Sequence, residues 1–219
     1  MTTPAPLPDP SAHPAGPPVR VRRATPADRP VLERLWPLFR HDMSAVSGEL
    51  PGPDGTFRDE RLRAALDEID DIDGIDGIEH DAQGDEDGRG RRPTVWRGYL
   101  ATVDGDATGA GGRTGERPVA FALVRGLDAP TRVLSAFFVV RAARQQGVGR
   151  DVAAAVLRDV PGPWEIAFQD ANAAAAAFWP RVATDVAGDA WSVAHRAVPG
   201  RPDVPPDAWL SLSVGRAVG

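Results

Sequence analysis

The chain has 219 residues, contains no cysteine, and carries a formal charge of -6 from 31 acidic residues and 25 basic residues, all of them arginine. This length suits one domain with tails, and the missing cysteines exclude disulfide scaffolds, zinc–thiolate sites, iron–sulfur clusters and thiol nucleophiles. The pI of about 5.2 predicts a protein that does not bind nucleic acid. No apolar run approaches the ~20 residues of a membrane span, and the first residues do not resemble a signal peptide, so we predict a cytoplasmic protein that does not bind membranes.

The beginning of the chain is rich in proline. Residues 1–18 contain seven prolines and, apart from Leu7, no large apolar side chain. A segment of this composition cannot bury enough surface to offset the entropy of ordering it. We therefore predict a disordered tail at 1–18, followed by a single domain over 19–219.

Local patterns after the tail predict one strand and two helices. Residues Val19–Arg22 alternate apolar and charged side chains, which is typical of a half-buried strand. Thr25 can cap a helix that begins with proline, and the apolar spacing predicts that helix over Pro26 to about Arg40, with a kink at Pro37. A second, short helix is predicted over Arg58–Leu66.

An acidic segment, residues 67–92, follows and breaks all periodicity. Its part Asp67–Gly88 holds 11 of the 31 acids and no arginine, so the rest of the chain has a balance of 25 minus 20, or +5. An EF-hand calcium loop has acidic residues at its first, third and fifth positions and a glycine at its sixth. Placing Gly74 or Gly77 at the sixth position puts an isoleucine at the first. We predict a solvated, disordered insertion and no metal site.

The second half of the chain mixes strands and helices. Strands are predicted at 95–103, 119–125 and 133–140, and the third is nearly all apolar, as in a central strand covered on both faces. The elements that follow are a helix from about 148 that ends before the prolines at 161 and 163, a strand at 164–168, a helix at 172–179, and strands at 191–198 and 209–214. This order predicts an α+β fold with one mixed sheet.

The segment most informative about chemistry lies between the apolar strand and the helix after it. It consists of Arg144, Gln145, Gln146, Gly147, Val148, Gly149 and Arg150. Its glycines allow a ligand to approach, and the first amides of the helix, which lack intrahelical acceptors, suit a pyrophosphate. The alternative is a Gly-x-Gly turn that only starts a helix. A dinucleotide fingerprint fails because Val152 stands at its third glycine, and a P-loop requires lysine.

In this setting the segment resembles motif A of the GNAT acyltransferases, Arg/Gln-x-x-Gly-x-Gly/Ala after an apolar strand. Val21–Asp28 is similar to the usual first strand and helix start of that family. The family's second motif, Asn-x-x-Ala-x-x-Phe-Tyr, is matched except at its last place by Asn172, Ala175, Phe178 and Trp179. The resemblance covers Val19 to about Val198. It implies a mixed, mostly antiparallel central sheet of about seven strands, flanked by about four helices and splayed between the fourth and fifth strands.

The resemblance also implies an acyl-CoA site where the sheet splays, with acetyl-CoA as acyl donor and cosubstrate and without a metal. Main-chain groups of Phe138, Val139 and Val140 would pair with the pantetheine arm as an added strand does. The segment Arg144–Arg150 would hold the pyrophosphate, chiefly through the amides from Gln145 onwards.

Three residues of the second motif have both a ligand-binding and a structural interpretation. Asn172 would hydrogen-bond the pantetheine arm, or cap a helix, or do both. Phe178 and Trp179 would line the site or only pack in the core. In many relatives a tyrosine at the place of Trp179 protonates the departing thiolate, whereas an indole N–H can donate a hydrogen bond but no proton.

The chemistry that the resemblance implies is direct transfer of the acyl group from CoA to an amine, without an acyl-enzyme. An amide near Val139 would stabilise the oxyanion, and a base must take the proton of the amine. His41 and Asp42, which we place just past the first helix, are candidate bases, with an exposed helix end as the alternative. His195 is expected on the sheet surface, and Glu165 at a strand start has nothing visible that would raise its pKa.

Three functions therefore stand at this point. The first is an acyl-CoA-dependent N-acyltransferase that acts on a small amine or a protein amino group, as a monomer or a homodimer. The second is a catalytically silent CoA-binding module of the same fold. The third, a partner-binding domain that does not bind CoA, survives only if no CoA binds.

Overall fold

A computed structural model describes residues 18–71, 94–105 and 115–215 of the chain. The strands in these ranges are β1 (Val19–Arg23), β2 (Trp96–Gly105), β3 (Gly115–Arg125), β4 (Arg132–Val139), β5 (Gly162–Phe168), β6 (Trp191–Arg196) and β7 (Asp207–Val214). The helices are α1 (Arg29–Ser47), α2 (Glu60–Asp71), α3 (Val148–Asp159) and α4 (Ala173–Ala187). None of these described helices is long and apolar enough to cross a membrane.

The strands form one sheet in the order β1-β2-β3-β4-β5-β7-β6. All neighbouring strands are antiparallel except β4 and β5, which run parallel. The predicted α+β class and mixed, mostly antiparallel sheet are confirmed. β4 and β5 pair only over Arg132–Leu134 and Trp164–Ile166, although both strands continue beyond these residues. We call the opening beyond the last pair the fork; it is the splay expected between the fourth and fifth strands.

Strand β4 lies in the middle of the sheet and is covered on both faces, as its apolar sequence predicts. Ala136 and Phe138 pack in the core under α1 and α2, whereas Leu134 and Val139 pack in the core under α3 and α4. Ser135 is an extra residue, because Leu134 and Ala136 pair with adjacent residues of β3. Such a bulge bends the strand locally, here next to the fork.

Helix α1 differs from the prediction at both ends. Pro26–Asp28 forms a 3-10 turn, and α1 begins only at Arg29. The helix then passes Pro37 and ends at Ser47, where Gly48 adopts φ +68°. An interior proline removes one helix hydrogen bond, but Pro37 lies on the exposed side while its neighbours Trp36 and Phe39 are buried. Burial of Trp36 and Phe39 carries the helix past Pro37, and Met43, which is partly buried against the same core, continues the apolar face beyond the predicted end.

Helix α2 corrects the predicted start of the acidic insertion. The helix ends at Asp71 and not at Leu66, so residues 67–71 are helical. Ile69 is only 1% exposed because it continues the apolar face of Leu62 and Leu66. Its side chain fits over Gly98 of β2, where a Cβ would lie 2.7 Å from the Ile69 methyl carbon. The remainder of the predicted insertion and the predicted tail, apart from Pro18, lie outside the described residues.

Helix α4 also exceeds the predicted bounds. The prediction that it ends at Trp179 is wrong, because α4 continues through Pro180 to Ala187. Val182 and Ala183 are buried and extend the apolar face that packs against the sheet. The single hydrogen bond lost at Pro180 is outweighed by the burial of apolar side chains in the residues that follow it.

Candidate functional site

The loop from β4 to α3 leaves a row of main-chain N–H groups without protein partners. Within it Gln145 and Gly147 have positive φ angles of 62° and 82°. None of the six amides of Gln145–Arg150, which we call the amide loop, donates a hydrogen bond to another described residue. Left-handed Gly147 followed by helical Val148 is a backbone arrangement that gathers N–H groups around an anion, and the dipole of α3 adds to it.

The two glycines of the amide loop have different environments. A Cβ at Gly147 would meet no heavy atom within 4 Å, so the space above this residue is open. A Cβ at Gly149 would lie 3.5 Å from the ring of Phe178 and 3.6 Å from Val139. Gly147 is therefore required for its left-handed φ, and Gly149 lies where β4, α3 and α4 meet.

Arg144 ties the start of the amide loop to β4 and α1. Its Nε donates to the carbonyl oxygen of Val139 at 2.8 Å, and its guanidinium lies 5.7 Å from the ring centre of Phe138. Its Nη2 donates to Asp42, whose other carboxylate oxygen accepts from Arg141 at 2.8 Å. Two arginines thus stand beside the free amides, which makes this end of the fork electropositive.

The candidate bases His41 and Asp42 lie inside α1, and not past its end as expected. Burial alone would raise the pKa of Asp42, but hydrogen bonds from Arg141 and Arg144 lower it below its ordinary value. A carboxylate held in two ion pairs is a weak base. The His41 side chain is 75% exposed, with Nδ1 3.9 Å from Asp42. This geometry favours the alternative of an exposed helix residue for His41.

The main-chain direction of β4 decides which of its groups face the fork. The N–H of Val140 donates to Val119 of β3 at 2.8 Å. Main-chain groups alternate along an antiparallel pair, so Phe138 also points to β3. Phe137 and Val139 therefore point into the fork, in agreement with the hydrogen bond that Val139 accepts from Arg144. Of the three residues expected to pair with a pantetheine arm, only Val139 has this orientation, and Phe137 joins it.

The second motif combines its structural role with a place beside the fork. The side-chain oxygen of Asn172 accepts from the Ala175 amide at 3.1 Å, as a helix cap does, which leaves its NH₂ group available. Phe178 stacks on Phe137 with ring centres 5.8 Å apart, and Trp179 meets both rings edge-on. Trp179 is buried in this cluster, yet its indole N–H donates to no described residue.

The opposite face of the sheet carries charged residues that sequence reasoning missed. On the side of α1 and α2, Arg61 Nη1 donates to the Ser135 carbonyl at 3.3 Å, and Arg125 Nε donates to the Ser135 hydroxyl at 3.1 Å. Asp207, at the start of β7, interacts electrostatically with Arg61, and burial raises the pKa of Asp207. These residues come from four elements, so no local sequence pattern could have joined them.

The other two residues weighed as candidates form surface pairs. Glu165 accepts from Arg196 at 2.6 Å, and that guanidinium also lies 4.8 Å from the ring centre of Trp209. His195 is exposed on β6 and hydrogen-bonds Asp170 at 2.8 Å, which confirms its expected place on the sheet surface. Within residues 18–71, 94–105 and 115–215, no three metal-ligating side chains come together.

Comparison with known proteins identifies the fold. No family model matches the sequence, and no curated protein matches it. Among solved structures, an acetyltransferase of the GNAT family from Staphylococcus aureus is similar at a TM-score of 0.50 and 10% identity, over 90% of this chain and 100% of that chain.

Two further structures agree with that match. One is assigned to the GNAT family, from Desulfovibrio desulfuricans, at a TM-score of 0.50 and 17% identity over 90% of this chain and 100% of that chain. The other is a domain from Methanocaldococcus jannaschii at a TM-score of 0.51 and 8% identity, over 90% and 99%. The chain has the fold of the GNAT acetyltransferases.

Proposed function

We propose that the protein is an acyl-CoA-dependent N-acyltransferase that uses acetyl-CoA as its donor. The observation that carries this proposal is the amide loop, Gln145–Arg150. It combines six free N–H groups, a left-handed glycine with open space above it and the start of a three-turn helix at one end of the fork. A pyrophosphate is the anion whose size and charge suit such a row of donors.

The fork supplies the rest of a CoA site. Val139 and Phe137 present main-chain groups along one edge, where an extended pantetheine arm can pair as a short strand. Arg144 at present occupies the Val139 carbonyl, so donor binding requires its guanidinium to turn away. We expect it to move towards the phosphates, because a guanidinium binds them with two hydrogen bonds. The free NH₂ of Asn172 lies at the start of α4 on the other side.

The residues at the fork also fit the chemistry of acyl transfer. An amine that attacks a thioester needs hydrogen-bond donors at the carbonyl oxygen and an acceptor for its proton. The N–H groups of Phe137 and Val139 face the fork, so we place the oxyanion contact at one of these two residues. Asp207 is our candidate base, because it precedes Ala208, which pairs with the last residue of β5 beyond the end of the β4–β5 pairing, and because burial raises its pKa.

Departure of the thiolate does not require a protein acid. A thiol with a pKa near the ~8.5 of a model cysteine is a good leaving group. The free indole N–H of Trp179 can stabilise the sulfur by a hydrogen bond but cannot protonate it. This substitution is the one observation that favours the second candidate, a CoA-binding module without catalysis.

Two measurements test the proposal. Calorimetric titration with acetyl-CoA and with CoA should show saturable binding, and thiol release over a panel of amines should show turnover. Binding without turnover on any acceptor favours the silent module. Absence of binding contradicts both functions.

A further inference from the structure

The sheet face below the fork carries two arginines that form no ion pair with another described residue. Arg61 of α2 and Arg125 of β3 both contact Ser135, the bulged residue of β4. Both guanidinium groups therefore hydrogen-bond to the same residue. We call Arg61, Arg125 and Ser135 the arginine face.

The lack of an ion pair distinguishes these two residues from their neighbours. Arg40 and Arg58 both form ion pairs with Glu49. Among the described residues, neither Arg61 nor Arg125 forms an ion pair, and each has only an uncharged oxygen of Ser135 as its hydrogen-bond acceptor. Most of the ten donors of the two guanidinium groups are thus left for solvent or for a ligand.

The electrostatics of this face favour an anion. Desolvation lowers the pKa of Arg61, and the positive charges of Arg125, Arg40 and Arg58 lower it further. Arginine nevertheless stays protonated in proteins. Like charges held this close repel one another, and an acidic ligand would relieve that repulsion. Asp207 offsets only part of it, because burial disfavours the charged form of Asp207.

The position of the face connects it to the reaction. Ser135 is the first residue of β4 beyond the pairing with β5, so the Arg61 guanidinium lies at the closed end of the fork. Phe137, whose N–H faces the fork, is two residues further along the strand. Two residues of a strand span about 7 Å. A molecule whose acidic group binds both arginines would therefore place its amine near the thioester if the acidic group and the amine lie within about 7 Å of each other.

We propose that the acceptor is a small amine that also bears an acidic group, a carboxylate or a phosphate, and that Arg61 and Arg125 bind this group. The inference rests on the proposed acyltransferase function. Guanidinium groups bind both acids through paired hydrogen bonds, so the shared chemistry is an oxyanion near an amine. Arg61 and Arg125 would then determine acceptor specificity, and the amine would lie towards Asp207.

The test compares acceptors that differ only in the acid. Thiol release is measured for alanine against alaninamide, for glutamate against its diamide glutaminamide, and for phosphoethanolamine against ethanolamine. We expect kcat/KM to be at least tenfold higher for the acid than for its uncharged counterpart, either in the carboxylate pairs or in the phosphate pair. The pairs that show this difference tell whether carboxylate or phosphate is preferred. Arg61→Gln and Arg125→Gln should each lower kcat/KM for the preferred acid at least tenfold, mainly through KM, and lower it much less for the uncharged counterpart.

Arg63→Gln is the matched control. Arg63 lies on the same helix, is exposed and already pairs with Asp59, so its replacement should leave the selectivity intact. Selectivity for uncharged or polycationic amines, or an equal loss on acid and amide in Arg61→Gln, would overturn the inference while the acyltransferase function stands.

Failure of the proposed function is separately visible. If calorimetry shows no acetyl-CoA binding, both the function and the inference are wrong. If acetyl-CoA binds and no amine reacts, N-acetylalanine, N-acetylglutamate and N-acetylphosphoethanolamine are titrated into the CoA complex. Binding of one that is lost in Arg61→Gln supports the inference, and no binding of any of them contradicts it.

Discussion

Substitution of Gly147 by glutamate separates binding of the donor from stability of the fold. A non-glycine residue in the left-handed region costs about 1 to 2 kcal/mol, and no atom lies within 4 Å of the new Cβ to add a clash. A carboxylate at the start of α3 offsets about 0.3 to 1 kcal/mol of this cost. The net loss of about 1 kcal/mol should lower Tm by about 2 to 4 °C in a chain of this size.

The effect on donor affinity should be much larger. The new carboxylate would project into the open space above the amide loop, where it repels phosphates and blocks their approach. We expect calorimetry to show at least a hundredfold weaker acetyl-CoA binding, which is about 2.8 kcal/mol.

A second glycine provides the control for that substitution. Gly48 has φ +68° and likewise no neighbour within 4 Å of a Cβ, so Gly48→Glu imposes a similar backbone cost away from the loop. It should bind acetyl-CoA normally. Unchanged affinity in Gly147→Glu, or an equal loss in both variants, would refute the assignment of the pyrophosphate to this loop.

Three further predictions concern stability and the leaving group. Hydrogen bonds from Arg22 hold the pKa of buried Asp28 at about 2. Ionised Asp28 therefore stabilises the fold above pH ~4 by roughly 2 kcal/mol, and this stabilisation is lost as the pH falls from ~4 to ~2. Urea unfolding should show that loss in the wild type and not in Asp28→Asn. Ile69→Ala should cost about 2 to 5 kcal/mol in the same assay, and a change below 0.5 kcal/mol would contradict its role in anchoring α2. Trp179→Tyr should raise turnover or shift its pH profile because a phenol can protonate the thiolate, whereas Trp179→Phe should mainly lower Tm; a fully active Phe variant beside an inactive Tyr variant would place Trp179 away from the sulfur.

The parts of the fold that sequence reasoning predicted are those with strong local signals. The apolar run of β4 indicated a central strand, and both of its faces are buried. The glycines of the amide loop indicated a tight turn before α3, and Gly147 has the required positive φ. Helix ends were predicted less well, because Pro37 and Pro180 signal termination locally while burial of the residues around them extends α1 and α4.

The direction of main-chain groups along β4 could not be read from the sequence. Whether Phe138 or Val139 faces the fork depends on which residues of β3 hydrogen-bond with β4, and the bulge at Ser135 changes that register by one. An apolar run contains no signal for either feature. The sequence prediction named three successive residues, whereas main-chain groups alternate in direction along an antiparallel pair.

The function of the arginine face was even harder to predict from the sequence. With 25 arginines in the chain, the presence of Arg61 or Arg125 in the sequence carries no information about function. Three facts distinguish these two residues: their shared contact with Ser135, the absence of an ion pair with any described residue, and their position where β4 and β5 part. Each of these facts depends on packing between distant elements. In this chain, the features that we link to donor binding lie in one contiguous loop, whereas those that we link to acceptor choice arise only from the folded sheet.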